Sequence, residues 1–152
     1  PTTALDVTIQ AQVLELMKKL KEEYNTSMIM ITHDLGIVAE ICDEVAVMYA
    51  GRIIEKGTLQ DVFNHIKHPY TEGLFNSLPN IEDRQARLKP IPGLMPDPTD
   101  LPKGCSFSPR CPYATERCQS SRPHPRMVSE THMVECLRYD EPGFAIEREE
   151  IE

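Results

Sequence analysis

The sequence predicts an α/β domain followed by an irregular tail, and three observations support this prediction. Helical periodicity alternates with short apolar runs over residues 1–80. Most of the 13 prolines lie after residue 79, where they leave room for few long helices. Four of the five cysteines also stand in this later part of the chain. We therefore expect a boundary near residues 79–85.

The first helix is predicted to begin after Asp6, whose carboxylate can cap the first turn, and to end near Tyr24. Residues 28–31 then form a continuous apolar run, which is typical of a strand that is covered on both faces. The predicted strand ends at His33. In layered α/β domains, the carboxyl ends of strands carry functional side chains, so His33 is a candidate site residue. The apolar residues of the first predicted helix recur at three- and four-residue steps: Ile9, Val13, Leu16, Met17, Leu20 and Tyr24.

Shorter elements follow. The pattern predicts a helix over residues 35–41, a strand through residues 45–49, a turn at 50–51, a strand at 52–55, a helix capped by Thr58 and a helix opened by Pro69. The turn at residues 50–51 indicates a hairpin. His65 and His68 are predicted to stand at helix ends, where a cation suits the helix dipole.

Charge and hydropathy exclude two classes of partner. Sixteen basic residues against 24 acidic ones give the 152-residue chain a net charge of −8, which disfavours nucleic acid and anionic lipid surfaces. The apolar windows are far shorter than the roughly 20 residues that a membrane span requires. We therefore expect neither a nucleic-acid partner nor a direct membrane span.

The four cysteines of the tail are candidate metal ligands: Cys105, Cys111, Cys118 and Cys136. They are separated by five, six and seventeen residues, spacings that differ from common zinc knuckles and from bacterial ferredoxins. Spacing alone therefore leaves an iron–sulfur cluster, zinc and no metal open. Cys42 stands in an apolar stretch and is predicted to be a small buried hydrophobe, whereas His124 and His132 are predicted to be solvated loop residues.

Several motifs resemble those of ABC transporter nucleotide-binding domains. PTTALD at the start of the chain is similar to the segment that contains the D-loop, and ITHD is similar to the segment that carries the switch histidine. HPYTEGL, IPGLMPDP and LPKGCSFSPRCPYA resemble the C-terminal extension of oligopeptide and dipeptide importer ATPases. The resemblance implies a partial three-layer nucleotide-binding domain without its N-terminal half, followed by a cysteine- and proline-rich extension.

The resemblance assigns Asp6 to the interface between two nucleotide sites and His33 to catalysis on ATP with Mg²⁺. The phosphate loop, the signature motif and the Asp-Glu pair that precedes PTTALD in the family do not occur in this sequence. Because the chain opens at Pro1 without Met, we expect a fragment. Because those motifs are absent, we expect that this fragment does not hydrolyse ATP alone.

The resemblance further implies a four-iron, four-sulfur cluster on the four cysteines, with zinc as the alternative. The partners it implies are a second ABC ATPase subunit and transmembrane permease subunits, at the cytoplasmic face of the cell membrane. The predicted divisions are residues 1–80 for the nucleotide-binding part, 81–140 for the extension and 141–152 for an acidic tail. A rival interpretation is a non-enzymatic metal-binding or redox module on an α/β scaffold.

Overall fold

The computed structural model describes residues 7–78 and 89–146, in two compact units divided between Asp43 and Glu44. Helices and an antiparallel sheet are both present, so the α/β class is confirmed. The boundary predicted near residues 79–85 lies outside the described residues. No helix in the described ranges combines the length and the apolar character needed to cross a membrane.

The first unit contains two helices, α1 (Val7–Glu23) and α2 (Leu35–Ile41), as predicted. Its core is formed by Leu14, Ile37 and Ile41. The apolar stripe predicted for α1 omitted Leu14, which is 2% exposed, whereas several members of that stripe are exposed. The exposed members are Ile9, Leu16, Leu20 and Tyr24.

The strand predicted at residues 28–31 is wrong, because this segment has no regular secondary structure. Met28 and Met30 pack against the helical core, while Ile29 and Ile31 are 92% and 95% exposed. The side chains of this segment therefore alternate between packed and exposed, as in a strand, although no strand is formed. A strand requires a hydrogen-bonded neighbour, and none of the described segments pairs with this one.

The second unit is built on a four-stranded antiparallel sheet with the order β1-β2-β4-β3. Its strands are β1 (Glu44–Tyr49), β2 (Arg52–Thr58), β3 (Arg126–Met127) and β4 (Met133–Val134). Ala50 and Gly51 form the turn of the β1-β2 hairpin with φ of 47° and 77°, which favours glycine at the second position. The hairpin is confirmed, and β2 extends beyond its predicted end.

Short helices complete this unit: α3 (Leu59–Asn64), α4 (Pro69–Asn76), α5 (Glu116–Ser120) and 3₁₀ helices at Ser108–Arg110 and Leu137–Asp140. Thr58 and Asp61 form a capping box at the start of α3, as the predicted Thr58 cap requires. The core joins Tyr49 and Ile54 of the hairpin to Phe107. Residues of the proline-rich region thus supply both the core and strand β4, which pairs with β2.

Candidate functional site

His33 lies at a bend directly before α2 and is exposed. The bend is fixed by its neighbours: the Asp34 carboxylate accepts hydrogen bonds from the amides of Gly36 (2.9 Å) and Ile37 (3.2 Å), and the Asp34 amide donates to Thr32 Oγ1 (3.1 Å). Within the described part of the chain, the His33 ring has no hydrogen-bond partner. The backbone around His33 is therefore well positioned, while its imidazole remains available to a ligand.

Asp6, the other residue assigned to nucleotide coupling, lies outside the described residues. Its predicted role as the cap of α1 and its predicted role at a dimer interface are consequently both untested.

The four tail cysteines lie on short elements of the second unit. Cys105 precedes Phe107, Cys111 follows the first 3₁₀ helix, Cys118 lies within α5 and Cys136 precedes the second 3₁₀ helix. The Cys105 amide donates to the Cys118 carbonyl (2.8 Å), so these two backbones are in direct contact. All five cysteines of the chain are free thiols.

Each of the four sulfurs has a donor close by. Backbone amides lower the pKa of three of them: those of Phe107 and Ser108 act on Cys105, that of Tyr113 on Cys111 and that of Arg138 on Cys136. Thr115 Oγ1 lies 3.4 Å from Cys118 Sγ. Donors to sulfur stabilise the thiolate form, which is the form that binds metals.

The thiols also interact electrostatically. Burial, together with the charges of the other three tail cysteines, raises the pKa of Cys136 to about 12. Burial likewise raises the pKa of Cys111 to about 11, with contributions from Cys105 and Cys118. In the metal-free chain these groups are therefore protonated at neutral pH, and only a cationic centre would convert them together to thiolates.

The Tyr139 hydroxyl provides a further test of the donor set. It is buried and has no hydrogen-bond partner among the described residues. Burial, followed by the charge of Cys136, raises the pKa of Tyr139. A buried hydroxyl without a partner, whose pKa responds to Cys136, fits a sulfur-rich anionic centre that would accept its proton.

The geometry does not confirm a metal site. In the ranges 7–78 and 89–146, no group of three or more His, Cys, Asp or Glu side chains is arranged to hold a metal ion. The assignment of Cys105, Cys111, Cys118 and Cys136 as ligands therefore remains a prediction.

The second unit contains a buried polar network that was not predicted from the sequence. Glu55 is fully buried in β2 and accepts hydrogen bonds from the amides of Lys67 (2.6 Å) and His68 (3.0 Å) and from His132 Nε2 (2.8 Å). His132 Nδ1 lies 3.9 Å from Asp61 Oδ1. The prediction of a solvated His132 is wrong, because this side chain is 1% exposed between two carboxylates.

The prediction that His68 stands at a helix end where a cation suits the dipole is correct only in part. It does stand at a helix end, but at the N-terminus of α4, where its Nδ1 accepts from the Tyr70 amide (3.0 Å). Complete burial lowers the pKa of His68 to about 3, so the ring is neutral at pH 7. A cation at this end would oppose the helix dipole, and the structure avoids one.

Comparisons with known proteins agree with the motifs. The profile of the family described as "Oligopeptide/dipeptide transporter, C-terminal region" matches residues 54–118. The oligopeptide transport ATP-binding protein AppD of Bacillus subtilis is 50% identical over 143 residues, which are 94% of this chain and 44% of that protein. OppD of Haemophilus influenzae is 53% identical over 132 residues, covering 87% of this chain and 40% of that protein.

These findings confirm the resemblance on which the sequence analysis relied. The chain is similar to oligopeptide transport ATP-binding proteins, and its residues 54–118 match the C-terminal region of oligopeptide/dipeptide transporters. OppD of Salmonella typhimurium, 55% identical over 123 residues, covers 81% of this chain. The chain spans less than half the length of the curated relatives it matches.

Proposed function

We propose that this chain is part of the ATP-binding subunit of an ABC-type importer of oligopeptides or dipeptides, and that the whole subunit couples ATP hydrolysis to uptake. The observation that carries the proposal is the 50% identity to AppD over 94% of the chain, which includes the ITHD segment. The rival interpretation, a metal-binding module without ATPase activity, does not account for similarity over residues 7–43. That part of the chain contains none of the four tail cysteines.

His33 is the catalytic residue of the proposal. Its exposed imidazole follows the apolar segment of residues 28–31, and the Asp34 cap fixes the backbone on its far side. An imidazole there can donate one N–H to a terminal phosphate oxygen of ATP and so sense whether the phosphate is present. Asp6 would act at the interface with a second ATP-binding subunit.

ATP and Mg²⁺ would be held mainly by residues that this sequence does not include. The phosphate loop and the metal-binding and water-activating carboxylates do not occur in these 152 residues. Positioning and charge stabilisation supply nearly all of phosphoryl-transfer catalysis, so His33 without those groups should give no turnover. We therefore expect this chain alone to be inactive.

Cys105, Cys111, Cys118 and Cys136 would hold a four-iron, four-sulfur cluster, with zinc as the alternative. The amide donors at three of the sulfurs and the unpaired Tyr139 hydroxyl support this assignment. When bound, a cluster would supply a one-electron redox centre, and zinc would supply only structural cross-linking. In either case the thiolates would tie α5 and both 3₁₀ helices to one point.

The remaining parts of the proposal concern organisation. Residues 1–80 would belong to the nucleotide-binding domain, 81–140 to the cysteine-rich extension and 141–152 to an acidic tail. The subunit would pair with a second ATPase subunit and dock on transmembrane permeases at the cytoplasmic face of the cell membrane.

The decisive experiment uses the complete subunit together with its second ATPase and its permeases in proteoliposomes. We expect ATP-dependent peptide uptake that is lost in the His33→Ala variant and retained in His124→Ala, which removes another exposed histidine. Uptake that survives His33→Ala would refute the catalytic assignment. A complete subunit that neither hydrolyses ATP nor supports uptake, yet binds iron or zinc, would favour the rival interpretation.

A further inference from the structure

A cavity of about 210 Å³ lies in the second unit, beside the β1-β2 hairpin. Its apolar lining comes from Tyr49, Ile54 and Phe107, which are core residues, and from Leu101 and Pro123. The volume equals about seven water molecules at roughly 30 Å³ each, and it is smaller than the roughly 300–1,000 Å³ of drug-sized sites. The cavity therefore suits a small ligand with one apolar group.

Two arginines and one carboxylate supply the charges of the lining. Arg52 donates Nε to Glu135 Oε1 (3.0 Å) and also bonds it through Nη2, while Glu135 is only 2% exposed. The positive charge of Arg52 and the negative charge of Glu135 cancel, and Arg52 Nη1 can still donate to a further acceptor. The Arg52 side chain is 50% exposed, so its guanidinium can reach solvent at the cavity mouth.

Arg122 supplies the charge that is not cancelled. It is exposed, its Nε donates to the Lys103 carbonyl (3.2 Å), and none of the ion pairs among the described residues involves it. His68, also in the lining, is fully buried and neutral. The cavity thus combines an apolar interior with one net positive charge, in a chain whose net charge is −8.

We propose that this cavity binds a small apolar monocarboxylate, with its apolar group between Tyr49, Ile54 and Phe107 and its carboxylate on Arg122 and Arg52. A guanidinium recognises a carboxylate through paired N–H donors, and one net charge matches a monoanion better than a phosphate dianion. A ligand with the size of one aliphatic amino acid, but without the amine, combines one apolar group with one carboxylate. The proposal depends neither on ATP hydrolysis nor on a metal centre.

A matched pair of probes tests it: 4-methylpentanoate and its neutral amide, 4-methylpentanamide, titrated into the metal-free chain while backbone amide shifts are followed by NMR. We expect the carboxylate to perturb Ser106 and the hairpin turn, and to bind about tenfold more tightly than the amide, because hydrogen bonds to a charged partner are the stronger ones. Equal affinities, or shifts confined to residues outside the cavity, would overturn the proposal.

Two variants identify the charge that is responsible. Arg122→Gln should weaken carboxylate binding about tenfold and leave amide binding unchanged, whereas Arg117→Gln removes an exposed guanidinium outside the lining and should change neither. Arg52 is left intact because its loss would strand the buried Glu135 carboxylate. Unchanged carboxylate binding in Arg122→Gln would refute the assignment.

A second readout is the rate at which cysteines are alkylated. Cys105 lines the cavity, whereas Cys42 lies in the first unit. Bound 4-methylpentanoate should slow alkylation of Cys105 by iodoacetamide, measured by mass spectrometry, without slowing that of Cys42. If both cysteines react at unchanged rates at a saturating probe concentration, the cavity is not the binding site.

Discussion

Glu55 and His132 are 77 residues apart in the sequence, yet a 2.8 Å hydrogen bond joins their side chains in the interior of the second unit. Glu55 lies on β2, and His132 precedes β4, the strand that pairs with β2. The same carboxylate accepts the amides of Lys67 and His68, which begin the turn into α4. One buried side chain therefore connects the hairpin, α4 and the proline-rich region.

Replacing Glu55 with Ala should destabilise the second unit by about 3–5 kcal/mol, because three donors would lose their acceptor in a fully buried site. Glu130→Ala removes an exposed carboxylate nearby and should change stability by less than about 0.5 kcal/mol. Urea denaturation followed by tyrosine fluorescence is a suitable measurement, since four of the five tyrosines lie in this unit. A loss below about 1 kcal/mol for Glu55→Ala would show that water replaces the carboxylate.

The neutral His68 predicts an acid-sensitive second unit. Its pKa is about 3 in the folded chain because of burial, compared with 6.5 when unperturbed. Between these values the unfolded chain binds a proton that the folded chain does not, so stability falls as the pH is lowered from about 6.5 towards 3. A single such group contributes a slope of up to about 1.4 kcal/mol per pH unit.

The His68→Asn variant isolates this contribution, because Asn can still cap α4 but does not titrate. Its free energy of unfolding should depend less steeply on pH than that of the parent chain, whatever its absolute stability. His124→Asn removes an exposed histidine and should leave the slope unchanged. Identical slopes for the parent and His68→Asn would mean that the ring is protonated in the folded state.

Local signals in the sequence were sufficient for most elements of the fold. The Thr58 cap, the Pro69 helix start and the turn at residues 50–51 each depend on backbone chemistry within a few residues, and all three are confirmed. The strand predicted at residues 28–31 is wrong for the opposite reason. Their apolar pattern is that of a strand, but pairing depends on a neighbour that no local signal supplies.

The buried polar network could not have been predicted from spacing. Glu55 stands in a strand where a charged residue usually faces solvent, and His132 stands in a loop rich in polar residues. Only the pairing of β2 with β4 brings them together, across a separation that leaves no periodic trace in the sequence. The four cysteines were recognisable as a set because of their residue type, although their spacing did not identify a metal.

In the complete ATP-binding subunit, His33→Ala should reduce the turnover number for ATP far more than it weakens ATP binding. The imidazole contact is expected to matter mainly when the terminal phosphate is positioned for transfer, and an interaction of that kind lowers kcat. Because His33 is exposed, its loss should change stability by less than about 0.5 kcal/mol. Equal losses in kcat and in nucleotide affinity would contradict the assignment.

The four tail cysteines should hold iron and acid-labile sulfide when the chain is prepared without oxygen. Thiolate ligation would join α5 to both 3₁₀ helices, so removal of the centre should increase amide hydrogen exchange over residues 105–136 and leave α1 and α2 unchanged. Cys136→Ser should lower the iron content, whereas Cys42→Ser, which changes the thiol of the first unit, should not. Zinc at one ion per chain without sulfide would replace the cluster with a structural zinc site. If neither iron nor zinc is retained and hydrogen exchange over residues 105–136 is already slow, packing and hydrogen bonds alone order this region, and the metal assignment is wrong.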